Sequence, residues 1–282
     1  MVTNTLKSIT QTMRTLLKNR TALAIFAGLY ALLLATLYGF VATREATVWQ
    51  VVVTLLFLVL IPAEFFILQS AIVTHTRDSK FHWGRILSNS VKLAVVAIPI
   101  ILLGYALFLL LNKWQVRYPQ PAPSLTFPIP PGSPKAGPLH WPTLLFATGR
   151  CLLFGVALPL ATIHLWIEVA AHDPRVLVAG GAKPIVKRIG HVFARAFASD
   201  SVLTYALGLI VFAAIPYAVL FVRIPVKGTK TDFAVFIAGL LLAFVFTLLG
   251  WVATLGALAK TNDQASSIVS TGEIRAEAEA PA

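Results

Sequence analysis

The sequence predicts an all-α protein, a polytopic membrane bundle of six transmembrane helices with amphipathic helices at the membrane interface. Of the 282 residues, 57% are hydrophobic and 12% are charged, and the mean hydropathy is +0.81. This leaves too little polar material to cover a water-facing surface. Six apolar stretches reach the roughly 20 residues that a helix needs to cross a hydrocarbon core of about 30 Å. None of them alternates with a period of two, which argues against a lipid-facing β-barrel.

These stretches divide the chain into three parts. Residues 1–20 are predicted to form a cytoplasmic amphipathic helix, residues 21–260 the membrane domain, and residues 261–282 a disordered, acidic, cytoplasmic tail. The first apolar stretch is too long for a signal peptide and lacks a clear cleavage site, so we interpret it as a retained span. The predicted spans, one to six, cover residues 22–42, 48–73, 93–111, 143–170, 202–222 and 234–258.

The distribution of lysine and arginine predicts the orientation. The two termini and the connections after spans two and four hold 15 of these residues, whereas the three connections on the other side hold seven. The positive-inside rule therefore places both termini in the cytoplasm. The formal charge of +12 is explained by this topology. A nucleic-acid partner is not expected, because no basic stripe on a soluble element is interleaved with aromatic residues.

Three basic segments precede spans one, three and five. In each, apolar residues recur at helical spacing with cations between them, which indicates amphipathic helices lying at the inner membrane surface. Periodicity alone equally allows them to be simple helical extensions of the spans. The apolar residues are Leu6, Ile9, Met13, Leu16 and Leu17; then Trp83, Ile86, Leu87 and Val91; then Ile185, Ile189, Val192, Phe193 and Phe197.

Prolines within the spans predict an internal repeat. Spans two and four each carry a proline followed 13 residues later by a histidine, and spans three and five share the tripeptide Ala-Ile-Pro. Since both pairs run in the same direction, the repeat would be a parallel hairpin unit. Chance is the alternative, because proline is common in membrane helices. The residues are Pro62 with His75, Pro159 with His172, and the tripeptides ending at Pro99 and Pro216.

This arrangement of proline-bearing hairpins and basic interfacial helices, over roughly residues 1–260, resembles the membrane domains found beside some bacterial glycerophosphodiester phosphodiesterases. It also resembles other six-span bacterial membrane proteins. The resemblance implies a multi-pass protein of the bacterial plasma membrane, the inner membrane. It carries no site residues with it, and the chain has no phosphodiesterase domain.

Ionisable residues within the spans are the candidate functional site. Glu64 follows Pro62 near the middle of span two, where a proline frees a backbone carbonyl. In span four, His164 and Glu168 are four residues apart and share a helix face. Their depths allow Glu64 to contact His164. The three residues would form a proton relay or cation site, or a structural polar clasp with Glu168 reaching the headgroups. Two carboxylates and one histidine do not make a convincing metal site, so no metal is predicted.

Four cations are predicted to contact lipid headgroups: Arg150 at the outer end of span four, and Lys187, Arg188 and Arg195 before span five. The outer loop at residues 112–142 holds nine of the 17 prolines and favours extended polyproline geometry. It would cap the bundle, offer an edge to a partner, or serve as a stiff linker.

Two functions are compatible with these observations. The first is a scaffold or accessory subunit of a membrane complex, and the second is a transporter or lipid-handling protein with a polar site between spans two and four. No catalytic or nucleotide-binding motif occurs, so no enzyme activity and no cofactor are predicted. The expected partners are the lipid bilayer and another membrane protein or a second copy of the chain. The single cysteine, Cys151, excludes an intramolecular disulfide.

Overall fold

The computed structural model of the chain describes residues 2–43, 47–118, 141–171, 190–221 and 229–278. Within these ranges the structure is helical and contains no strand. The α-helices with both ends described are α1 (Val2–Lys18), α2 (Arg20–Ala42), α3 (Val48–Asp78), α4 (Trp83–Gln115), α5 (Trp141–Leu152), α6 (Leu158–Ala171), α8 (Ser199–Leu209), α9 (Ile215–Phe221) and α10 (Thr229–Ala278). Residues 190–196 are also helical and are called α7.

Six helical segments are long and apolar enough to cross a membrane, which confirms the predicted all-α bundle with six spans. Two of these segments combine two α-helices joined by a five-residue π-helix, Leu153–Ala157 in span four and Ile210–Ala214 in span five. The six segments are Arg20–Ala42, Val48–Asp78, Trp83–Gln115, Trp141–Ala171, Ser199–Phe221 and Lys230–Asn262.

The basic segments before spans one, three and five differ in structure. α1 is separated from α2 by Asn19, whose side chain accepts a hydrogen bond from the backbone N–H of Ala22 at 3.1 Å and so caps α2. Residues 83–92 continue without a break into α4, so this segment is a helical extension of span three. α7 is separated from α8 by a turn at residues 197 and 198.

Two of the four intramembrane prolines lie just beyond the π-helices. Each π-helix ends two residues before a proline, Pro159 or Pro216. A proline lacks the N–H that would close its helical turn and its ring clashes with the preceding carbonyl, so a wider turn there relieves the clash. Pro62 and Pro99 lie inside uninterrupted α-helices instead. Local geometry thus groups Pro159 with Pro216, while the repeat expected from sequence stays a prediction.

The chain divides into two compact units. The first comprises Met1–Val96 and Leu160–Ala282, and the second comprises Ala97–Pro159. In the second unit, Arg150 donates a hydrogen bond from Nη2 to Oδ1 of the Asn112 side chain. The guanidinium carbon of Arg150 lies 5.9 Å from the centre of the Phe108 ring. These contacts connect α4 and α5 within that unit.

The core of the first unit is concentrated in one part of its helices. Residues 68–74 of α3 and residues 252–259 of α10 are all buried, and α6 contributes Leu160, Ile163 and Ile167. The beginning of α3 and the beginning of α10 are mostly exposed, although they are strongly apolar. We call the buried part the packed core and these two exposed beginnings the open halves.

The end of α10 reaches into the predicted tail. The helix extends to Ala278, so most of the segment that was expected to be a disordered tail, residues 261–282, is helical. Alanine and glutamate are strong helix formers, and lengthening an existing helix avoids the cost of nucleation. The disordered tail at residues 261–282 stays a prediction beside this helical extension.

Candidate functional site

Glu64 connects α3 to α2. Its Oε1 accepts a hydrogen bond from the Thr36 hydroxyl at 3.0 Å, and Thr36 is itself buried. The second carboxylate oxygen, Oε2, is buried and has no hydrogen-bond partner among the described residues. Glu64 thus serves as a contact between two helices while one of its oxygens stays available.

His164 is almost completely buried in α6, with an exposed fraction of 2%. Neither ring nitrogen has a hydrogen-bond partner in the described part of the chain. The expected contact between Glu64 and His164 is therefore not formed as a hydrogen bond. Arg195 of α7 lies close enough to His164 to act on it electrostatically.

Glu168 lies one turn after His164 in α6 and is half-buried. Over the residues that the structure describes, no three His, Cys, Asp or Glu side chains come together in a way that could hold a metal ion. Glu64, His164 and Glu168 consequently do not form a metal-holding group.

The cations predicted to contact lipid headgroups have different surroundings. Arg150 is half-buried and engages Asn112 and Phe108, as described above. Arg195 is half-buried, and its Nη1 donates a hydrogen bond to Asn262 of α10 at 3.1 Å. Both guanidinium groups thus have protein partners. Lys187 and Arg188 lie outside the described residues, as does most of the predicted outer loop.

Two buried polar residues of α3 hold the packed core together and were not singled out from the sequence. The indole Nε1 of Trp251 in α10 donates a hydrogen bond to Gln69 Oε1 at 2.9 Å. The hydroxyl of Ser70 donates one to the backbone carbonyl of Ile86 in α4 at 2.8 Å. Because lipid offers no alternative partner, polar side chains in a span tend to bond to neighbouring helices. Adjacent Gln69 and Ser70 in an apolar run were the signal available in the sequence.

Two cavities in the first unit have polar residues in their linings, which are mostly apolar in the first cavity and mostly polar in the second. A cavity of about 120 Å³ lies among α1, α2, α3 and α10, and a second of about 190 Å³ lies among α3, α4 and α6. The residues that line these two cavities do not include Glu64, His164 or Glu168. The polar groups of the cavities are thus separate from the site predicted from sequence.

The chain was compared with known protein families, curated proteins and solved structures. No known protein family, curated protein or solved structure matches the chain. Functional inference therefore depends on the residues and contacts of the chain itself.

Proposed function

We propose that this integral membrane protein acts through helix packing, as a scaffold or accessory subunit of a membrane complex. The observation that supports this function is the use of intramembrane polar side chains as links between helices. Three hydrogen bonds join other helices to α3. Thr36 of α2 bonds to Glu64, Trp251 of α10 bonds to Gln69, and the Ile86 carbonyl of α4 bonds to Ser70. Such bonds contribute, together with close packing, to the association of membrane helices, on which a scaffold depends.

The open halves offer the surface on which such a subunit would work. Along α3 and α10, large apolar side chains are exposed over several turns, among them Leu55, Leu58, Phe236 and Leu241. Within a bilayer, lipid chains cover such surfaces, and another membrane helix can replace them through close packing. The partner we propose is another transmembrane protein.

Native mass spectrometry of the tagged protein, extracted gently from its own membranes at native expression, tests this function. A stoichiometric protein partner is the expected result. A preparation that contains only the lone chain, only a homo-oligomer, or the chain with only lipid would contradict the accessory role.

A transporter or lipid-handling protein is the second candidate. The observation that favours it is the burial of three polar atoms without hydrogen-bond partners among the described residues, Glu64 Oε2 and both ring nitrogens of His164. Buried unpaired groups of this kind are costly in a membrane and are common along ion pathways. For this function, Glu64→Gln and His164→Phe should abolish flux while insertion stays normal. Unchanged flux in both variants would contradict the transport or lipid-handling function.

We also propose a location in the bacterial plasma membrane, with both termini in the cytoplasm, on the basis of the lysine and arginine distribution. Cys151 is the sole cysteine, so a Cys151→Ser background allows single cysteines to be labelled at chosen sites. A cysteine at Lys7 should resist an impermeant thiol reagent in intact cells, and one at Lys113 should react. The reverse pattern would overturn the orientation.

A further inference from the structure

We propose that the cavity among α1, α2, α3 and α10 binds a phosphate group, carried by a lipid headgroup or by a soluble anion. The cavity measures about 120 Å³, several times the space needed for one water molecule. Its lining combines one cation and an imidazole with four hydroxyl groups, beside the apolar residues Leu16, Phe26 and Val252. The hydroxyls of Thr15 and Thr76 already donate to the backbone carbonyls of Gln11 and Ile72, so those of Thr12 and Ser79 are the ones that can donate to a phosphate. The polar lining residues are Thr12, Thr15, His75, Thr76, Ser79 and Lys260.

Two hydrogen-bonding groups among the lining residues of this cavity have no protein partner in the described part of the chain. The hydroxyl of Thr12 in α1 is buried, its residue having an exposed fraction of only 7%, and it makes no hydrogen bond within the described residues. The Nδ1 of His75 in α3 is likewise buried without a partner there. A hydroxyl and an imidazole N–H, in the tautomer that carries the proton on Nδ1, can each donate to a phosphate oxygen.

The charge of the cavity favours an anion. Lys260 is half-buried and lines the cavity, and none of the described residues around it is acidic. The C-terminal end of α3 would by itself disfavour an anion, because helix carbonyls carry partial negative charge. One of the carbonyls in the last turn, that of His75, already accepts a hydrogen bond from the Ser79 N–H at 2.9 Å.

The walls of the site are held by packing that does not depend on a ligand. The His75 ring stacks on the Phe81 ring with centroids 4.6 Å apart, and it packs edge-to-face with the Phe26 ring with centroids 5.7 Å apart. Thr12 packs close to Gly256 of α10, where a side chain would approach its methyl group to 2.9 Å. The positions of His75 and Thr12 are therefore fixed by neighbours on α2 and α10, which is the condition for a preorganised site.

Binding to four variants tests the site in the intact protein. Thr12→Val removes the hydroxyl and keeps the shape, Thr12→Ser keeps the hydroxyl, and Lys260→Gln removes the cation. Lys230→Gln, an exposed residue of the same helix, is the matched control. The probes are dioleoylphosphatidylglycerol by native mass spectrometry in detergent, with dioleoylglycerol as the phosphate-free lipid, and radiolabelled inorganic phosphate by equilibrium dialysis.

We expect Lys260→Gln and Thr12→Val to weaken binding about tenfold, because hydrogen bonds to a charged group contribute about that much. Thr12→Ser and Lys230→Gln should bind as the unmodified protein does. Phosphatidylglycerol binding, with dioleoylglycerol not bound, identifies a lipid headgroup; inorganic phosphate binding alone identifies a soluble anion. Either supports the site. It is overturned if neither probe binds, or if Lys260→Gln binds as tightly as Lys230→Gln with both proteins folded.

Discussion

The packed core and the open halves of α3 and α10 are both apolar, yet one is buried in the protein and the other is exposed. In α10, residues 252–259 are buried, whereas Phe233, Phe236 and Leu241 are more than half exposed. The composition of the two regions explains the difference. Five of the eight residues 252–259 are alanine, glycine or threonine, whereas only four of the 13 residues 233–245 are alanine or glycine and the others are large and apolar.

This comparison shows that hydrophobicity does not determine which part of a span contacts protein. Lipid chains are as apolar as leucine, so helix association depends on small residues that allow close approach and on polar residues that bond across helices. Gly208 of α8 illustrates the close approach, because any side chain there would meet Thr254 of α10. Gln69 and Ser70 illustrate the bonding.

Leucine-to-alanine substitution should give the largest contrast between the two regions. Leu255 is fully buried, and Leu241, in the same helix, is 62% exposed. We expect Leu255→Ala to lower the free energy of unfolding by about 2–5 kcal/mol because it leaves a cavity, and Leu241→Ala to change it by less than about 0.5 kcal/mol. Denaturant unfolding in detergent micelles measures both. Equal losses would remove the distinction between packed core and open half.

Glycine-to-alanine substitution should have the next largest effect. A Cβ at Gly250 would lie 2.9 Å from the backbone nitrogen of Phe212, which cannot move easily, whereas a Cβ at Gly28 meets no atom within 4 Å. Gly250→Ala should therefore destabilise the protein by about 1–3 kcal/mol. Gly28→Ala should be neutral or stabilise it by up to about 1 kcal/mol, because alanine is the better helix former. Thermal unfolding of the two variants would contradict this account if Gly250→Ala were the more stable.

The hydrogen bond between Gln69 and Trp251 should contribute less. Interhelical bonds in membranes average about 0.6 kcal/mol and reach about 1.7 kcal/mol. A double-mutant cycle with Gln69→Met and Trp251→Phe should return a coupling energy in that range, since phenylalanine keeps the edge-to-face contact with Phe212. A coupling energy of zero would mean that the bond does not hold α3 to α10.

The ion pair between Asp78 and Arg85 should have the smallest effect. The two side chains meet at 2.8 Å, but 67% of the Arg85 side chain is exposed. Exposed ion pairs contribute about 0–1 kcal/mol to the free energy of unfolding, so Asp78→Asn should lower it by no more than about 0.5 kcal/mol. The control is Lys80→Gln at a neighbouring exposed residue, and the same limit should hold for it. The measurement is unfolding at low and high salt. A salt-independent loss above about 1 kcal/mol in Asp78→Asn alone would contradict this ranking.

The sequence was sufficient to predict the six spans, because length and apolar composition are local properties. It was insufficient for the contacts between spans. Glu64 lies within a span, and its hydrogen-bonded neighbour is Thr36 of span one and not His164 of span four. Periodicity within a span could not identify the partner of Glu64. The partner depends on which helix lies next to α3 and how that helix is rotated, and both are set by tertiary packing. The π-helices before Pro159 and Pro216 were equally beyond local signals, because Pro99 ends the same tripeptide, Ala-Ile-Pro, as Pro216 and yet lies in an uninterrupted α-helix.

The proposed role depends most on whether the open halves contact another protein. Photoreactive benzoylphenylalanine can be placed at Leu241 in one variant and at Leu55 in another. Each variant is then irradiated in native membranes, and the adducts are identified by mass spectrometry. The account predicts that one of these positions yields a discrete adduct with another membrane protein, and that the adduct is absent at exposed Val95 of α4. Adducts with lipid alone at both Leu241 and Leu55 would contradict it.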